Sequence, residues 1–505
     1  MTIGGPGNDQ ANSIIQTSDQ GYIMTGSTTS YGGGYHDVYV VKLDCSGNLQ
    51  WTKVIGGPED DFGESIIQTD DGGYAIAGNT NSFGQEGMNV IKLDKYGNKE
   101  WTKIISISGG GLYEAFGYSI IQTKNKGFII VGNEVQHIWP YIYVVKLDSV
   151  GNTIWEYSYD CSLISSNIGY KIIQTNDGSY VIAGNTGGGI GAIKLDSAGS
   201  MKWITADTVN SFGWAVSVIQ TNDKGFAIAG TGARNFDTAT KATYSNVYLL
   251  KLDSAGNMKW SRNIGGSGDD EGKSLVQTKD EGYLIAGYTN SFGAGGYDVY
   301  VVKVDSAGGL VSTKTIGGAG NDYANSIVKT KDGGFAIAGY TNSYGAGGDD
   351  MYFIKLDSTG TLCSATGSGG SIKNVDSIAI VKIAGSGPVS MSYSVLSDSG
   401  KISYGGKDSS ICKVVGINEI ASEKNSIEVY PNPSNGMFSV ELKANSEKLK
   451  VEVYNMLGEK VLSQLINNNS QFSIDLSTQP AGIYLCRVLT ERGSLIDSGK
   501  LVIQK

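Results

Sequence analysis

At 505 residues the chain is longer than one hydrophobic core usually serves, so two or more domains are expected. Its 73 Gly and 29 Tyr against only 7 Pro describe many short strands joined by tight turns, not a disordered Pro/Gly polymer. A formal net charge of −10 with no offsetting basic run argues against nucleic acid as a partner, and no apolar run is long enough to make a transmembrane segment.

The chain opens at Met1 with Thr2-Ile3-Gly4-Gly5, which is the middle of a repeat; it is read as a truncated or processed form without its signal peptide. The same frame then appears seven times. Its Lys-Leu-Asp signature, once Lys-Val-Asp, sets Asp at 44, 94, 148, 196, 253, 305 and 357, a period of 48 to 57 residues. The second repeat shows the pattern: strand-like runs at 64–69, 74–80, 88–94 and 99–105, the first pair joined by Asp-Asp-Gly-Gly and the second by Lys-Tyr-Gly-Asn. Four antiparallel strands per unit at a period near fifty predict an all-β fold, a β-propeller of about seven four-stranded blades over residues 1–367. The repeats run at about 3–54, 55–104, 105–158, 159–206, 207–263, 264–315 and 316–367. Trp51, Trp101, Trp155, Trp203 and Trp260 recur on the fourth strand and are expected to fill the gaps between blades. Ser312 and Ser364 replace them in the last two repeats, so packing there should differ. The leading Thr2–Gly5 reads as the end of a fourth strand, either completing the last blade or left from an eighth.

Residues 368–415 leave the frame and read as a small β extension, followed by a polar linker over 416–426. Of the five Cys, at 45, 161, 363, 412 and 486, Cys363 and Cys412 bound the extension and would suit a disulfide in an exported protein; the sequence leaves the connectivity open. No CxxC or Cys/His spacing supports a zinc site.

Residues 427–505 form a separate module. Its landmarks are Tyr430-Pro431-Asn432-Pro433, then Asn435-Gly436, Leu457-Gly458, Gly482-Ile483-Tyr484 and a basic end at Lys505. In this order they resemble the type A C-terminal sorting domain of the type IX secretion system of Bacteroidota. The resemblance implies a small C-terminal β-sandwich, recognition by the type IX secretion translocon of the outer membrane, and an extracellular or cell-surface destination. Pro431 and Pro433 would also keep the segment that leads into the module out of a neighbouring sheet.

Catalysis has little support. The only histidines, His36 and His137, lie in non-equivalent places, and no nucleophile elbow accompanies them. Arg234 and Arg262 are too few for the three-arginine clamp of sialidase-like propellers, and Lys251–Trp260 is only faintly similar to pyrroloquinoline-quinone propellers. Paired carboxylates keep a carbohydrate-active hydrolase or lyase open as an alternative, and a structural surface-layer role is a third reading.

Blade topology places the second-to-third and fourth-to-first connections on one face, where ligand sites are expected. Repeats 6, 7 and 1 carry Asp in both loops: Asp270 and Asp298, Asp322 and Asp350, Asp9 and Asp37. These six carboxylates read as turn caps, with a cation patch, calcium being the candidate, as the functional alternative. Repeats 3 to 5 carry aromatics there instead. Tyr113, Trp139, Tyr141, Phe212 and Trp214, with Phe116 and His137 nearby, are the candidate site for a glycan or a surface protein.

Overall fold

The computed structural model describes residues 1–82, 87–106, 113–136, 139–161, 167–186, 189–207, 213–232, 235–236, 243–362, 373–375, 394–397, 401–403, 407–409, 427–430, 434–442, 448–455, 460–467, 471–490 and 495–504. They divide into two compact units, Met1–Val414 and Val415–Lys505.

The first unit holds seven antiparallel sheets in sequence order, each a blade. Blade 2 runs Asp61–Gln68, Tyr74–Thr80, Gly87–Leu93 and Lys99–Ser106. Its first strand starts three residues before the run expected at 64–69, because Asp61 is buried and pairs with Thr80 in the ladder. The first strands of the seven blades are Asp9–Gln16, Asp61–Gln68, Tyr113–Gln122, Ile168–Gln174, Trp214–Gln220, Asp270–Gln277 and Asp322–Lys329. Each touches the next and the last touches the first, so these strands wall a central channel. Thr2–Gly4 is the fourth strand of blade 7, with Thr2 opposite Tyr352 and Ile3 opposite Met351. The ring closes at seven by this pairing, and no eighth blade is needed to complete it.

The repeat's signature residues are its stitches. Ser13, Ser65, Ser119 and Ser217 each accept the backbone N–H of the following blade's first strand, at Ile66, Ile120, Ile172 and Leu275. Ser326 closes the circle by accepting from Ile14 N. Three residues on, a Gln reaches back to the preceding blade's first hairpin: Gln68 Oε1 accepts from Ser18 N at 2.8 Å, Gln122 from Asp70 N at 2.9 Å and Gln16 from Lys331 N at 2.8 Å. The Lys of Lys-Leu-Asp is buried in blades 1, 2 and 5, where it pairs with the hairpin Asp, as Lys42 does with Asp19 at 2.9 Å. The Asp of that motif caps its own turn: Asp44 accepts from Ser46 N and Asn48 N.

The fourth-strand tryptophans do fill the gaps. Trp51, Trp101, Trp203 and Trp260 meet Tyr74, Phe128, Phe226 and Tyr283 of the next blade at 5.8–6.1 Å between ring centres. Each ring also covers a turn glycine of that blade; a Cβ on Gly97, itself at φ +77°, would fall 2.8 Å from the Trp51 ring. Between blades 7 and 1 the missing Trp is replaced by Phe353, which meets Tyr22 at 5.0 Å.

The short strands within 368–415 join blades already present. Lys373–Val375, Ser394–Ser397, Lys401–Ser403 and Lys407–Ser409 each add a fifth, outermost strand, to blades 5, 2, 1 and 7 in turn. They cover edges that would otherwise be open. Cys363 and Cys412, and with them the proposed disulfide, lie outside the described residues; Cys45 is an exposed free thiol and Cys161 a half-buried one, while Cys486 is buried.

The second unit is a three-stranded sheet (Ile427–Tyr430, Met437–Leu442, Gln471–Asp475) and a four-stranded one (Lys460–Asn467, Lys448–Tyr454, Gly482–Thr490, Leu495–Ile503). Phe438, Phe472 and Ile474 of the first pack with Val451, Val453, Cys486 and Val488 of the second into one core, a small β-sandwich.

Candidate binding site in the central channel

Every first strand carries a β-bulge at the same place. The register skips one residue between Ala11 and Ser13, Gly63 and Ser65, Gly117 and Ser119, Gly169 and Lys171, Ala215 and Ser217, Gly272 and Ser274, and Ala324 and Ser326. The skipped residues are Asn12, Glu64, Tyr118, Tyr170, Val216, Lys273 and Asn325. A bulge leaves its residue unpaired and re-aims its side chain. Here the ring of first strands turns these side chains into the channel, where they meet one another. Asn325 Nδ2 donates to Asn12 Oδ1 at 3.4 Å, Asn12 Nδ2 donates to Glu64 Oε2 at 3.2 Å, and the Tyr118 and Tyr170 rings lie 5.3 Å apart. Two residues earlier, Gln10, Phe62, Phe116, Ile168, Trp214, Glu271 and Tyr323 form a second tier nearer the mouth.

The two tiers are chemically lopsided. Blades 3 and 4 present Phe116 stacked on Tyr118 at 6.5 Å and Tyr118 against Tyr170. At the bulge positions blades 7, 1 and 2 present amides and a carboxyl group, while the tier nearer the mouth adds Tyr323 on blade 7 and Phe62 on blade 2. In blade 6, Lys273 is paired with Glu271 at 2.9 Å and lies over the Tyr288 ring. Burial pushes the Glu64 carboxyl up to about 7, so it is partly protonated near neutrality. Burial also lowers the Lys171 ammonium and raises the Tyr170 phenol to about 12.

Of the aromatic residues expected to bind, Trp214 stands at the mouth tier, 39% exposed, at the same register position as Phe116. Tyr113 and Trp139 both pair with Gln136, so they occupy one row at the end of blade 3. Tyr141 is half-buried opposite Glu134. His137 and Phe212 lie outside the described residues. The bulge residues went unnamed in the sequence reading. The available signal was a position that takes five residue types in seven repeats while the Ser-Ile-Ile-Gln beside it hardly changes.

The six aspartates are brought together in pairs at blade junctions, not as one patch. Asp350 of blade 7 faces Asp9 of blade 1, and Asp298 of blade 6 faces Asp322 of blade 7; Asp37 faces Asp61, and Asp270 faces Asn246. On the first strand of blade 1, Asp9 accepts from Gly5 N at 2.7 Å, Ser30 Oγ at 2.6 Å and Thr28 Oγ1. The third-strand member anchors the loop before it, Asp350 accepting from Ala346 N at 2.7 Å. Among the described residues no group of three or more His, Cys, Asp or Glu is placed to hold a metal ion. Asp61 and Asn246 complete the set; the Gly-Gly-x-x-x-Asp spacing of repeat 2 was the overlooked sign of the first.

In the second unit, Gly436 sits at φ +115°, and a Cβ there would fall 2.6 Å from Ser477 Cα. Ser434 N donates to Val502 O at 2.9 Å and Gln504 N to Ser434 O at 2.8 Å, which ties the segment after the Pro-rich entrance to the last strand. Tyr484 is buried, its hydroxyl donating to Pro480 O at 2.9 Å, and Gly482 starts that strand. Pro431, Asn432, Pro433, Gly458 and Lys505 lie outside the described residues. Residues 428–504 match the secretion system C-terminal sorting domain family. The sorting domain directs export by the type IX route, to the cell surface or the extracellular space, and implies contact with that machinery. Among the described residues no helix is long and apolar enough to cross a membrane.

No curated protein matches the chain. Solved structures that resemble it do so distantly. A fungal alcohol oxidase of the AA5 family, in complex with copper, is 11% identical, with 100% of this chain and 98% of that one covered and a TM-score of 0.45. A protein from Lactobacillus plantarum is 10% identical over 70% of this chain and 99% of its own, at 0.45. The extracellular domain of a putative hybrid two component system from B. thetaiotaomicron is 10% identical over 98% and 69%, at 0.32.

Proposed function

We propose that the exported propeller is a recognition module that binds a glycan at the mouth of its central channel. The observation that carries this reading is the bulge ring. The repeat keeps its stitch and turn residues nearly constant, and it varies the residues that face the channel. At the bulge positions the variation is ordered: aromatic faces on blades 3 and 4, hydrogen-bonding groups on blades 7, 1 and 2. Sugars are bound by that combination, rings stacking on aromatics while amides and carboxyls take the hydroxyls. Trp214 extends the aromatic side to the surface.

A carboxyl group held near 7 is also suited to proton donation, which favours the hydrolase reading. That chemistry needs a second free carboxylate. Glu271, the other acid of the two tiers, is tied to Lys273, so binding without turnover is the better account.

The test is a glycan array probed with the full chain at neutral pH, beside Tyr118→Ala and Trp214→Ala. Binding that drops at least about tenfold in both variants supports the reading, since each removes an aromatic contact. Binding that survives both variants, or an array with no hits, would overturn it.

A further inference from the structure

The junction between blades 6 and 7 departs twice from the rule that closes other junctions. Ser312 stands where blades 1 to 5 have Trp, so Phe335, the counterpart of Tyr74 and Tyr283, lacks the tryptophan ring that those two residues meet. A Cβ on Gly360 would meet only Leu284, at 3.4 Å, where Gly97 and Gly256 meet tryptophan at 2.8 Å. Lys329 stands where the other six repeats have the stitching Gln. An ammonium cannot accept the N–H of Lys279 as Gln68 accepts that of Ser18. The two losses fall on the same side of the same junction, and a cavity of about 280 Å³ opens there on the hairpin face.

Three lysines line it: Lys279, Lys303 and Lys329. Lys303 is committed to Asp280 at 3.1 Å. Among the described residues Lys279 and Lys329 have no carboxylate partner within 4 Å, unlike Lys303 and Lys355. Lys279 reaches across the junction, its Nζ lying 2.8 Å from where a Gly333 Cβ would be. Lys329 is exposed at the end of its strand; partial desolvation at the junction lowers its ammonium, a penalty that a bound anion would relieve. In a chain of net charge −10, two unpaired ammonium groups beside a cavity with Thr278, Thr330 and Ser358 on its wall are a selective feature.

We propose that this cavity binds an oxyanion, a carboxylate, sulfate or phosphate group, held by Lys279 and Lys329 and by the backbone N–H that the lost Gln leaves free. The site is on the face opposite the channel mouth, and it stands whether or not the channel binds sugar. The group is borne either by a free inorganic ion or by an acidic saccharide.

The experiment is calorimetric titration of the full chain with inorganic phosphate, sulfate, glucuronic acid and, as the neutral control, glucose. Lys329→Gln restores the repeat's own residue and is therefore expected to fold; Lys279→Gln is the companion. The parent should bind at least one oxyanion and not glucose. Affinity should fall about tenfold or more in either variant, the scale of one charged hydrogen bond. Preference for glucuronic acid over phosphate assigns the acidic saccharide, and the reverse assigns the free ion. Failure of every anion to bind, or binding unchanged in Lys329→Gln, would overturn the proposal. Thermal unfolding of each variant separates a lost site from a lost fold.

Discussion

Asp350 and Asp9 aim their carboxyl groups at one point, the place that a side chain on Gly4 would fill. A Cβ there would lie 2.1 Å from Asp350 Oδ1 and 2.6 Å from Asp9 Oδ2. The same triangle recurs at Gly56 with Asp37 and Asp61, and at Gly317 with Asp298 and Asp322. The glycines of Ile-Gly-Gly are thus set by two buried carboxyl groups from neighbouring blades.

Gly317→Ala should therefore destabilise the propeller by about 1–3 kcal/mol, the usual scale for overpacking a tight site. Gly33→Ala is the control, since nothing lies within 4 Å of its Cβ position. Thermal unfolding of the two variants beside the parent checks this. Equal melting temperatures for both would contradict the crowding.

Burial first, then the charges of Asp9 and Asp349, hold the Asp350 carboxyl up to about 6. Burial raises Asp37 and Asp298 as well, with Asp61 and Asp322 adding to the effect. A folded value above the unfolded one means a contribution present in full below the ordinary carboxyl value and lost as pH rises through about 6. Melting temperature should fall between about pH 4 and about pH 7 on this account and level off above that. Asp350→Asn, which copies Asn246 of blade 5, should flatten the profile. A parent profile that is already flat would refute the idea.

Trp101→Ala opens the junction between blades 2 and 3, where the ring meets Phe128 at 5.9 Å and covers Gly151. The ring is partly exposed, so the loss should be about 2–3 kcal/mol, somewhat under that for a fully buried Trp. A chemical-denaturation midpoint measures it. A cost within about 0.5 kcal/mol, the level of an ordinary surface change, would show that the ring is not part of the junction.

Deleting 427–505 should abolish export and leave the unfolding of the propeller unchanged, because the sandwich has a core of its own. Fractionation of cells for surface protein reads the first effect and calorimetry the second. A propeller that melts lower after the deletion would show that the two units are energetically coupled.

The blades were legible because each is made of local contacts. Hairpins such as that between Asp61–Gln68 and Tyr74–Thr80 are closed by turn residues a few positions apart, and the repeat writes those residues seven times. The sorting domain was legible for a similar reason, as landmarks in fixed order. The channel ring was not, because alternation along a strand does not show where the register slips. The bulge that turns Glu64 inward exists only once Gly63 and Ser65 have paired with Gly78 and Ala77. The sequence assigns the aspartates to repeats 6, 7 and 1, yet which carboxyl meets which is decided by blade packing and ring closure. Asp350 and Asp9 sit near opposite ends of the propeller sequence, and Thr2–Gly4 pairing with blade 7 brings them together. Sequence determined the strands, the turns and the number of repeats, since those depend on nearest neighbours. Only the packing of blade against blade decided the channel wall, the carboxyl pairs and the lysine-lined cavity, since each joins residues from more than one blade.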